Sequence, residues 1–270
     1  MGSTEAGSLA RFGRLLKQLR GNTGMTQQEL SAMSTVGQST ISDMELGKKG
    51  TRRENVSQLD AALAARGVLL GAWDAAFGDG GTSAYFREVA ESEHTAIEIR
   101  EYSLGLVPGL LQVEEYVRVV SVLARPKADP KSIEQTVQAR KLRQEILAKE
   151  HPPAFIALLD ESVLLREFQD SRVMAAQIDH LIELSYRPRL RLQVVPLKAE
   201  NHAGLGGSFT LMEVPESGTF AYVESQETGF VLKQPDLVGS YDRTFAELRS
   251  AALPAPESRT KMKEIRGSIT

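Results

Sequence analysis

The sequence contains no cysteine, and that absence excludes several kinds of chemistry. Without thiols there is no disulfide, no thiolate-bound metal and no cysteine nucleophile. Histidine is scarce as well, and no two of the four histidines stand four residues apart, as a metal-binding pair on one helix would. A zinc site would need distant segments to converge, so we expect no metal and no cofactor. The four are His94, His151, His180 and His202.

Long apolar runs are also missing. No stretch approaches the roughly 20 residues that a membrane span requires, and the first residues, MGSTEAGSLARFG, lack the apolar centre of a signal peptide. The absence of cysteine fits a reducing compartment. We therefore expect a cytoplasmic protein that does not contact a membrane. A length of 270 residues allows about two domains of ordinary size.

Charge is distributed unevenly along the chain. The net charge is −3, but residues 1–77 contain nine Lys and Arg against seven Asp and Glu, whereas the remainder contains 23 against 28. A modestly positive N-terminal part beside an acidic remainder limits non-specific attraction to nucleic acid. We expect that such an N-terminal part needs dimerisation to bind DNA with useful affinity.

The segment from residue 23 to 66 has the pattern of two short helices joined by a tight turn, which is typical of DNA-binding proteins. Thr26 followed by Glu29 predicts a capping box at the start of the first of these helices. The turn is predicted at residues 34–37, and the next helix begins near Gln38. In this region and the helix before it, the residues expected to face the core are Phe12, Leu15, Leu16, Leu19, Leu30, Met33, Val36, Ile41 and Met44.

The outward positions of the helix that begins at Gln38 carry side chains that suit base recognition. Glutamine can contact adenine through two hydrogen bonds, and serine donates or accepts at several base edges. A basic segment follows and would contact the DNA backbone. The simpler interpretation is that these are solvated polar positions on a helical bundle. The spacing of the two helices, their capping residues and the basic segment that follows them together favour DNA binding. The predicted base-reading residues are Gln38, Ser39, Ser42 and Asp43, and the predicted phosphate-contacting residues are Gln27, Lys48, Lys49, Arg52 and Arg53.

The glycine-rich stretch GDGGTS at 78–83 marks the predicted domain boundary. Before it, apolar spacing predicts a first helix over residues 9–22 and a last helix over residues 69–77, with Trp73 in the core. The predicted organisation is an all-α domain of five helices over 1–77 with helix-turn-helix architecture, a linker over 78–84, an α+β domain with a mixed sheet over 85–253, and a polar, mobile tail over 254–270.

Periodicity in the second domain indicates both strands and helices. Two of the strands are joined across the turn sequence PESG, which predicts a hairpin. In the long polar helix we expect Leu142 to face inward with Ile133, Val137 and Ile146. The predicted strands cover 95–102, 155–159, 190–195, 208–214 and 220–224, and the predicted helices cover 113–124, 131–149, 162–168, 171–185 and 234–252.

Few residues of the second domain indicate catalysis. Asp160 and Glu161 end a buried strand, where catalytic carboxylates can lie, but capping of the next helix explains them more simply. The glycines at 204–207 lack the Gly-Lys-Ser/Thr sequence of a phosphate-binding loop. We therefore expect no enzymatic activity. The surrounding loop, residues 198–207, is either an ordinary connection or a mobile binding segment.

Three motifs of the N-terminal domain carry a resemblance to a known family. They are TQQEL at 26–30, STIS at 39–42 and ELGK at 45–48. The region from residue 20 to 63 resembles the Xre/Cro family of phage-repressor-like helix-turn-helix proteins. One position departs from that family, because Thr35 occupies a turn position often filled by glycine. A β-branched residue disfavours positive φ, so the turn geometry is left open here.

The resemblance implies roles for individual residues. It makes Gln27 a phosphate-contacting residue and makes Gln38, Ser39 and Ser42 base-reading residues. It also implies that Arg20 and Glu45 form a structural ion pair that joins the first and third helices.

Further motifs occur in the second domain in the order that another family shows. This domain resembles the C-terminal domain of unknown function that follows Xre-type domains in actinobacterial regulators of development and antibiotic production. That family offers no accepted catalytic residues. The motifs are VPGLLQ at 107–112, RQEIL at 143–147, LDESVL at 159–164, QVVP at 193–196 and GSFTL at 207–211.

The resemblance implies a transcription factor that is often encoded beside a small partner protein, in an arrangement likened to toxin–antitoxin pairs. We accordingly expect a nucleoid-associated homodimer on a palindromic double-stranded operator, with the second domain receiving its signal from a small acidic or amphipathic partner. Two alternatives stay open. The second domain could be a small-molecule sensor with a closed apolar pocket, or an enzyme with a strongly perturbed carboxylate or histidine in a cleft.

Overall fold

The computed structural model describes residues 2–65, 67–77, 84–215, 217–224 and 229–269. The chain divides into two compact units: Met1–Val89 with Glu224–Leu232, and Ala90–Val223 with Lys233–Thr270. Of the predicted linker, residues 78–83 lie outside the described residues, so the linker and the other domain boundaries stay predictions.

The first unit begins with the five helices that the sequence predicts. The capping box is formed, because the Thr26 hydroxyl accepts the Glu29 N–H at 3.2 Å while the Glu29 carboxylate accepts the Thr26 N–H at 2.7 Å. The first helix starts seven residues earlier than expected. The helices are α1 (Gly2–Asn22), α2 (Gln27–Met33), α3 (Gln38–Glu45), α4 (Arg53–Ala62) and α5 (Val68–Phe77).

The turn between α2 and α3 contains a left-handed residue that is not glycine. Thr35 has a φ of 46°, a region that β-branched side chains disfavour. Its hydroxyl donates to the side-chain oxygen of Gln58 on α4. Val36 is buried, as predicted. The turn therefore keeps the left-handed geometry, and a hydrogen bond to a neighbouring helix holds the threonine in it.

One core prediction for this region is wrong. Met33 is 59% exposed, whereas Ser34 is buried. The inward position one helical turn after Leu30 falls at Ser34, and the Ser34 hydroxyl donates to the Leu30 carbonyl at 2.6 Å. The inward position is thus occupied by a polar residue that satisfies a backbone group.

The five helices pack around a shared apolar core. Close contact between α1 and α3 requires glycine at position 13, because a Cβ there would overlap the Met44 carbonyl oxygen. Trp73 packs against the core and donates from its indole nitrogen to the Thr51 carbonyl at 3.0 Å. The buried members are Phe12, Leu16, Leu30, Val36, Ile41, Met44, Val56, Leu59, Leu63, Ala65 and Leu69.

The C-terminal part of the chain contains a six-stranded mixed sheet, which confirms the predicted α+β class. The strands are β1 (Glu98–Ser103), β2 (Ala154–Asp160), β3 (Leu190–Val195), β4 (Phe209–Val214), β5 (Gly218–Glu224) and β6 (Gly229–Leu232).

Strand order in the sheet is β3-β2-β1-β4-β5-β6. β2 runs parallel to both β1 and β3, whereas β4 runs antiparallel to β1 and to β5. The predicted hairpin of β4 and β5 is confirmed. β2 reads AFIALLD and is apolar almost throughout, as expected of a parallel strand covered on both faces. Because β1, β2 and β3 are parallel, their carboxyl ends meet at one edge.

Two helices lie where the sequence did not predict them. The helices of this part are α6 (Ala84–Thr95), α7 (Glu114–Ala124), α8 (Pro130–Gln144), α9 (Glu161–Leu164), α10 (Ser171–Leu184), α11 (Pro235–Ala251) and α12 (Ala255–Ser268). The two that the sequence did not predict are α6 and α12. In addition, α9 is shorter than the helix predicted at 162–168.

α12 occupies most of the predicted tail, so the expectation of a mobile tail is wrong. The helix buries Met262 and Ile265. The buried Ser258 hydroxyl accepts the Val194 N–H and donates to the Leu253 carbonyl, both at 3.0 Å. Two buried apolar residues in a charged segment gave too weak a periodic signal for prediction.

The inward prediction for Leu142 is also wrong, since this residue is 63% exposed. Ile133, Val137 and Ile146 are buried, as expected, but at the end of α8 a polar residue takes the inward position predicted for Leu142. Gln144 donates to the Gly109 carbonyl at 3.1 Å and to the Gln112 carbonyl at 2.7 Å. Backbone satisfaction again decides which side chain faces inward.

The end of α4 provides a test of backbone strain. Exposed Ala64 has a φ of 48°, which costs an L-residue about 1–2 kcal/mol and glycine almost nothing. We expect Ala64→Gly to raise the free energy of unfolding by about 1 kcal/mol. Fluorescence of Trp73, the single tryptophan, reports unfolding of the N-terminal core in urea.

Ala61→Gly is the matched control, because Ala61 is exposed in the interior of α4. This substitution should lower the free energy of unfolding by about 1 kcal/mol. If both variants lower the free energy of unfolding by the same amount, the proposed strain at Ala64 is contradicted.

Candidate nucleic-acid interface

The exposed face of α3 carries the four residues that the sequence assigned to base reading. Gln38 and Ser39 are exposed, and Ser42 and Asp43 are half-buried. The opposite face is fixed in the core by the fully buried pair Ile41 and Met44. α3 therefore presents a polar surface whose orientation is set by its apolar side.

An ion pair between half-buried Arg20 and buried Glu45 joins α1 to the end of α3. Arg20 donates to Glu45 through two nitrogens, Nε to Oε1 at 2.6 Å and Nη2 to Oε2 at 2.9 Å. A third guanidinium bond reaches the Met25 carbonyl at 2.7 Å. Burial raises the pKa of Glu45, but hydrogen bonds from Arg20 and Gln27 outweigh it and hold the pKa below its usual value.

The ion pair is extended to the protein surface by two glutamines. Gln27 at the start of α2 donates to Glu45 Oε2 at 2.9 Å. Gln38 at the start of α3 donates to Gln27 Oε1 at 2.8 Å. Hydrogen bonds thus run without a gap from Arg20 to Gln38, and they fix the side-chain amide of Gln38. The sequence indicated the roles of both glutamines but not the bond between them.

A basic segment follows α3. Lys48, Lys49 and Arg52 are exposed, and Arg53 is half-buried at the first position of α4. Gly47, with a φ of 67°, turns the chain just before this segment. Placed after the exposed face of α3, these cations provide positive charge where a phosphate backbone would pass.

At the carboxyl edge of the parallel strands, three polar side chains converge. Asp160 accepts the Ser162 N–H at 2.9 Å, which confirms the predicted capping role, and its other oxygen lies 2.7 Å from Nε2 of His202. Burial raises the pKa of the adjacent Tyr102, and the charge of Asp160 adds to this. Gly204 lies against the Tyr102 ring with no room for a Cβ.

These contacts tie the loop at 198–207 to Asp160 and Tyr102. Nδ1 of His202 accepts the Gly204 N–H at 3.3 Å, so both ring nitrogens have partners. Across the described ranges, no three His, Asp or Glu side chains are placed to hold a metal ion. In the same ranges, no helix is both long and apolar enough to cross a bilayer.

Comparison with protein families gives two matches. Residues 11–73 match a Helix-turn-helix domain, and residues 86–264 match a Domain of unknown function (DUF5753). No curated protein and no solved structure matches the chain. The first match contains the whole of α2 and α3 with the basic segment, and it indicates a DNA-binding regulator.

The Arg20–Glu45 ion pair gives a prediction with a characteristic pH dependence. Arg20→Met leaves the Glu45 carboxylate buried without its cation, and we expect it to lower the free energy of unfolding at neutral pH by about 3 kcal/mol. In the native protein the depressed pKa of Glu45 stabilises the fold above the ordinary carboxyl pKa, and this contribution is lost as pH falls.

In Arg20→Met the sign reverses. Burial then dominates and raises the pKa of Glu45, so protonation stabilises the variant as pH falls. The difference in the free energy of unfolding between the native protein and Arg20→Met, measured by Trp73 fluorescence in urea, should become smaller between neutral pH and about pH 4. The double variant Arg20→Met, Glu45→Gln has no carboxyl group at position 45, so it should lack the stabilisation on acidification that we expect of Arg20→Met. If the free energies of unfolding of the native protein and Arg20→Met differ by the same amount at all pH values, this account is wrong.

Proposed function

The chain belongs to the family of the Domain of unknown function (DUF5753), and we propose that it is a sequence-specific transcriptional regulator of the Xre/Cro type. The observation that carries this proposal is the series of hydrogen bonds from half-buried Arg20 through buried Glu45 and Gln27 to exposed Gln38. It fixes a glutamine amide at the first position of an exposed helix, where a base edge would lie in the major groove.

The remaining hydrogen-bonding groups of Gln38 match adenine. One amide hydrogen is used by Gln27, which leaves the second hydrogen for N7 and the oxygen for the N6 amino group. Ser39, Ser42 and Asp43 supply further donors and acceptors on the same face. Asp43 would accept from a cytosine amino group.

The phosphate contacts would come from both sides of α3. Gln27 lies at the start of α2, where helix N–H groups favour an anion. On the other side, Lys48, Lys49, Arg52 and Arg53 would contact the backbone beyond the bases.

We propose that the protein acts as a homodimer on a palindromic operator, in the cytoplasm and on the nucleoid. Two copies of α3 would occupy half-sites about one helical turn, or roughly 10 base pairs, apart. The second domain has no proposed enzymatic role. It would instead receive a small partner protein, as in the actinobacterial regulators that it resembles, and binding would shift the population of DNA-binding-competent states.

Selection of double-stranded DNA from a random pool by the full-length chain tests this proposal. We expect a palindrome with the half-site spacing given above. A pool that converges on no sequence, with folded protein present, would contradict sequence-specific binding.

Substitution of Gln38 is the sharper test of the assigned site. Gln38→Ala should weaken binding to the selected operator by about 1–3 kcal/mol and relax the preference at one base position. The measurement is fluorescence anisotropy with the operator and with operators changed at single positions. Unchanged discrimination at every position would exclude Gln38 as a base-reading residue.

Lys49→Ala is the matched control for a phosphate contact. It should weaken binding to all sequences by a similar factor and reduce the salt dependence by about one counterion. A loss confined to certain base positions would instead show that Lys49 reads sequence.

A further inference from the structure

An apolar groove of about 630 Å³ lies between α7 and the start of α10. One wall is formed by Val119, Val122 and Leu123 of α7, and the other by Phe168 and Val173. Val122 is 48% exposed and Leu123 is 64% exposed. Contiguous exposed apolar surface with a polar rim marks interaction sites on proteins, and these two residues extend the apolar wall of the groove to the surface.

Both walls of the groove are held in place. The Phe168 ring packs edge-on against buried Tyr116, with centroids 5.4 Å apart and planes at 86°. Asp170 accepts the Arg172 N–H at 3.0 Å and so caps α10. The groove is therefore formed before any partner arrives, which lowers the entropic cost of binding.

The charge around the groove is negative. Its lining includes Glu115, Glu167, Asp170 and Arg118. Arg118 is paired with Glu134 through two bonds at 3.0 and 3.1 Å, outside the groove lining. In the part of the chain that the structure describes, neither Glu115 nor Glu167 takes part in a salt bridge. The lining thus holds three carboxylates against one guanidinium and is net negative, although the charge of Arg118 acts on Glu115 and Asp170 pairs with Arg172.

We propose that this groove docks an amphipathic helix of a partner protein, with apolar side chains on the groove floor and Lys or Arg beside Glu115 and Glu167. Helices recognised in grooves place anchors at i, i+3 or i+4 and i+7, and opposite charge at the rim adds specificity and a faster encounter. This inference rests on the proposed control by a protein partner. It selects the amphipathic, basic form of that partner over an acidic one.

Random dodecamer peptides displayed on phage and selected on the full-length chain provide the test. We expect the enriched peptides to share apolar residues at helical spacing and a net positive charge. A synthetic peptide of the enriched sequence is then measured by fluorescence anisotropy against the native chain and its variants. Its affinity should fall as salt concentration rises.

Matched variants show whether the peptide occupies this groove. Leu123→Asp should weaken binding by at least about tenfold, whereas Leu142→Asp should leave it unchanged, because Leu142 is 63% exposed on α8 outside the groove. Glu167→Lys should weaken binding severalfold, whereas Glu150→Lys, at another exposed site, should not. Equal thermal melting of the paired variants shows that the fold is retained.

Several results would overturn the proposal. They are enrichment of acidic peptides, absence of enrichment, and binding that survives Leu123→Asp. Sedimentation equilibrium adds a further arm: if Leu123→Asp dissociates an oligomer, the groove is covered by a second copy and the proposal is wrong. Operator binding is measured on the same preparation. If the native chain binds the operator but enriches no peptide, only this inference is overturned. If the native chain enriches a basic amphipathic peptide but does not bind the operator, only the proposed DNA-binding function is overturned.

Discussion

A carboxylate inside a protein must be neutralised, and the N-terminal domain is organised around the way in which Glu45 meets this requirement. An unpaired charge there would cost several kcal/mol, so the guanidinium of Arg20 on α1 and the amide of Gln27 on α2 both converge on the last residue of α3. Three helices are thereby joined at one point. Gln27 also accepts a hydrogen bond from Gln38. The contacts that neutralise Glu45 therefore also fix the position of a side chain on the exposed face of α3.

Local sequence signals predicted much of the fold. The capping box predicted at Thr26 is present. β3 has the predicted bounds, Leu190–Val195, because Leu190, Leu192 and Val194 give the alternating apolar pattern of a strand. Met33 and Leu142 were misplaced for one shared reason. At each site the inward position belongs to a polar neighbour, Ser34 or Gln144, whose side chain satisfies backbone carbonyls. A pattern of hydrophobic residues does not show which backbone carbonyls need a hydrogen bond from a side chain.

The candidate site was predictable as a set of residues but not as a network. Helical periodicity placed Gln38 on the outward face of α3, whereas its bond to Gln27 depends on the angle between two helices, which no motif encodes. The same holds for Asp160 and His202. The capping role of Asp160 is local and was foreseen, but its contact with a histidine 42 residues away arises only from the way the loop folds back over the sheet edge.

Glycine at position 13 separates the packing of α3 from the side chains that α3 exposes. Where α1 crosses α3, the backbone at Gly13 lies directly against the backbone at Met44 and Glu45. The tilt of α3 is therefore set by a backbone contact that substitutions elsewhere on α3 leave unchanged. The residues at the opposite, exposed face take no part in that contact. Under the proposed function, exchanges at Ser39 or Ser42 would therefore change the preferred DNA sequence without changing the tilt of α3, and operator preference could diverge between related proteins while the packing of the domain stays the same.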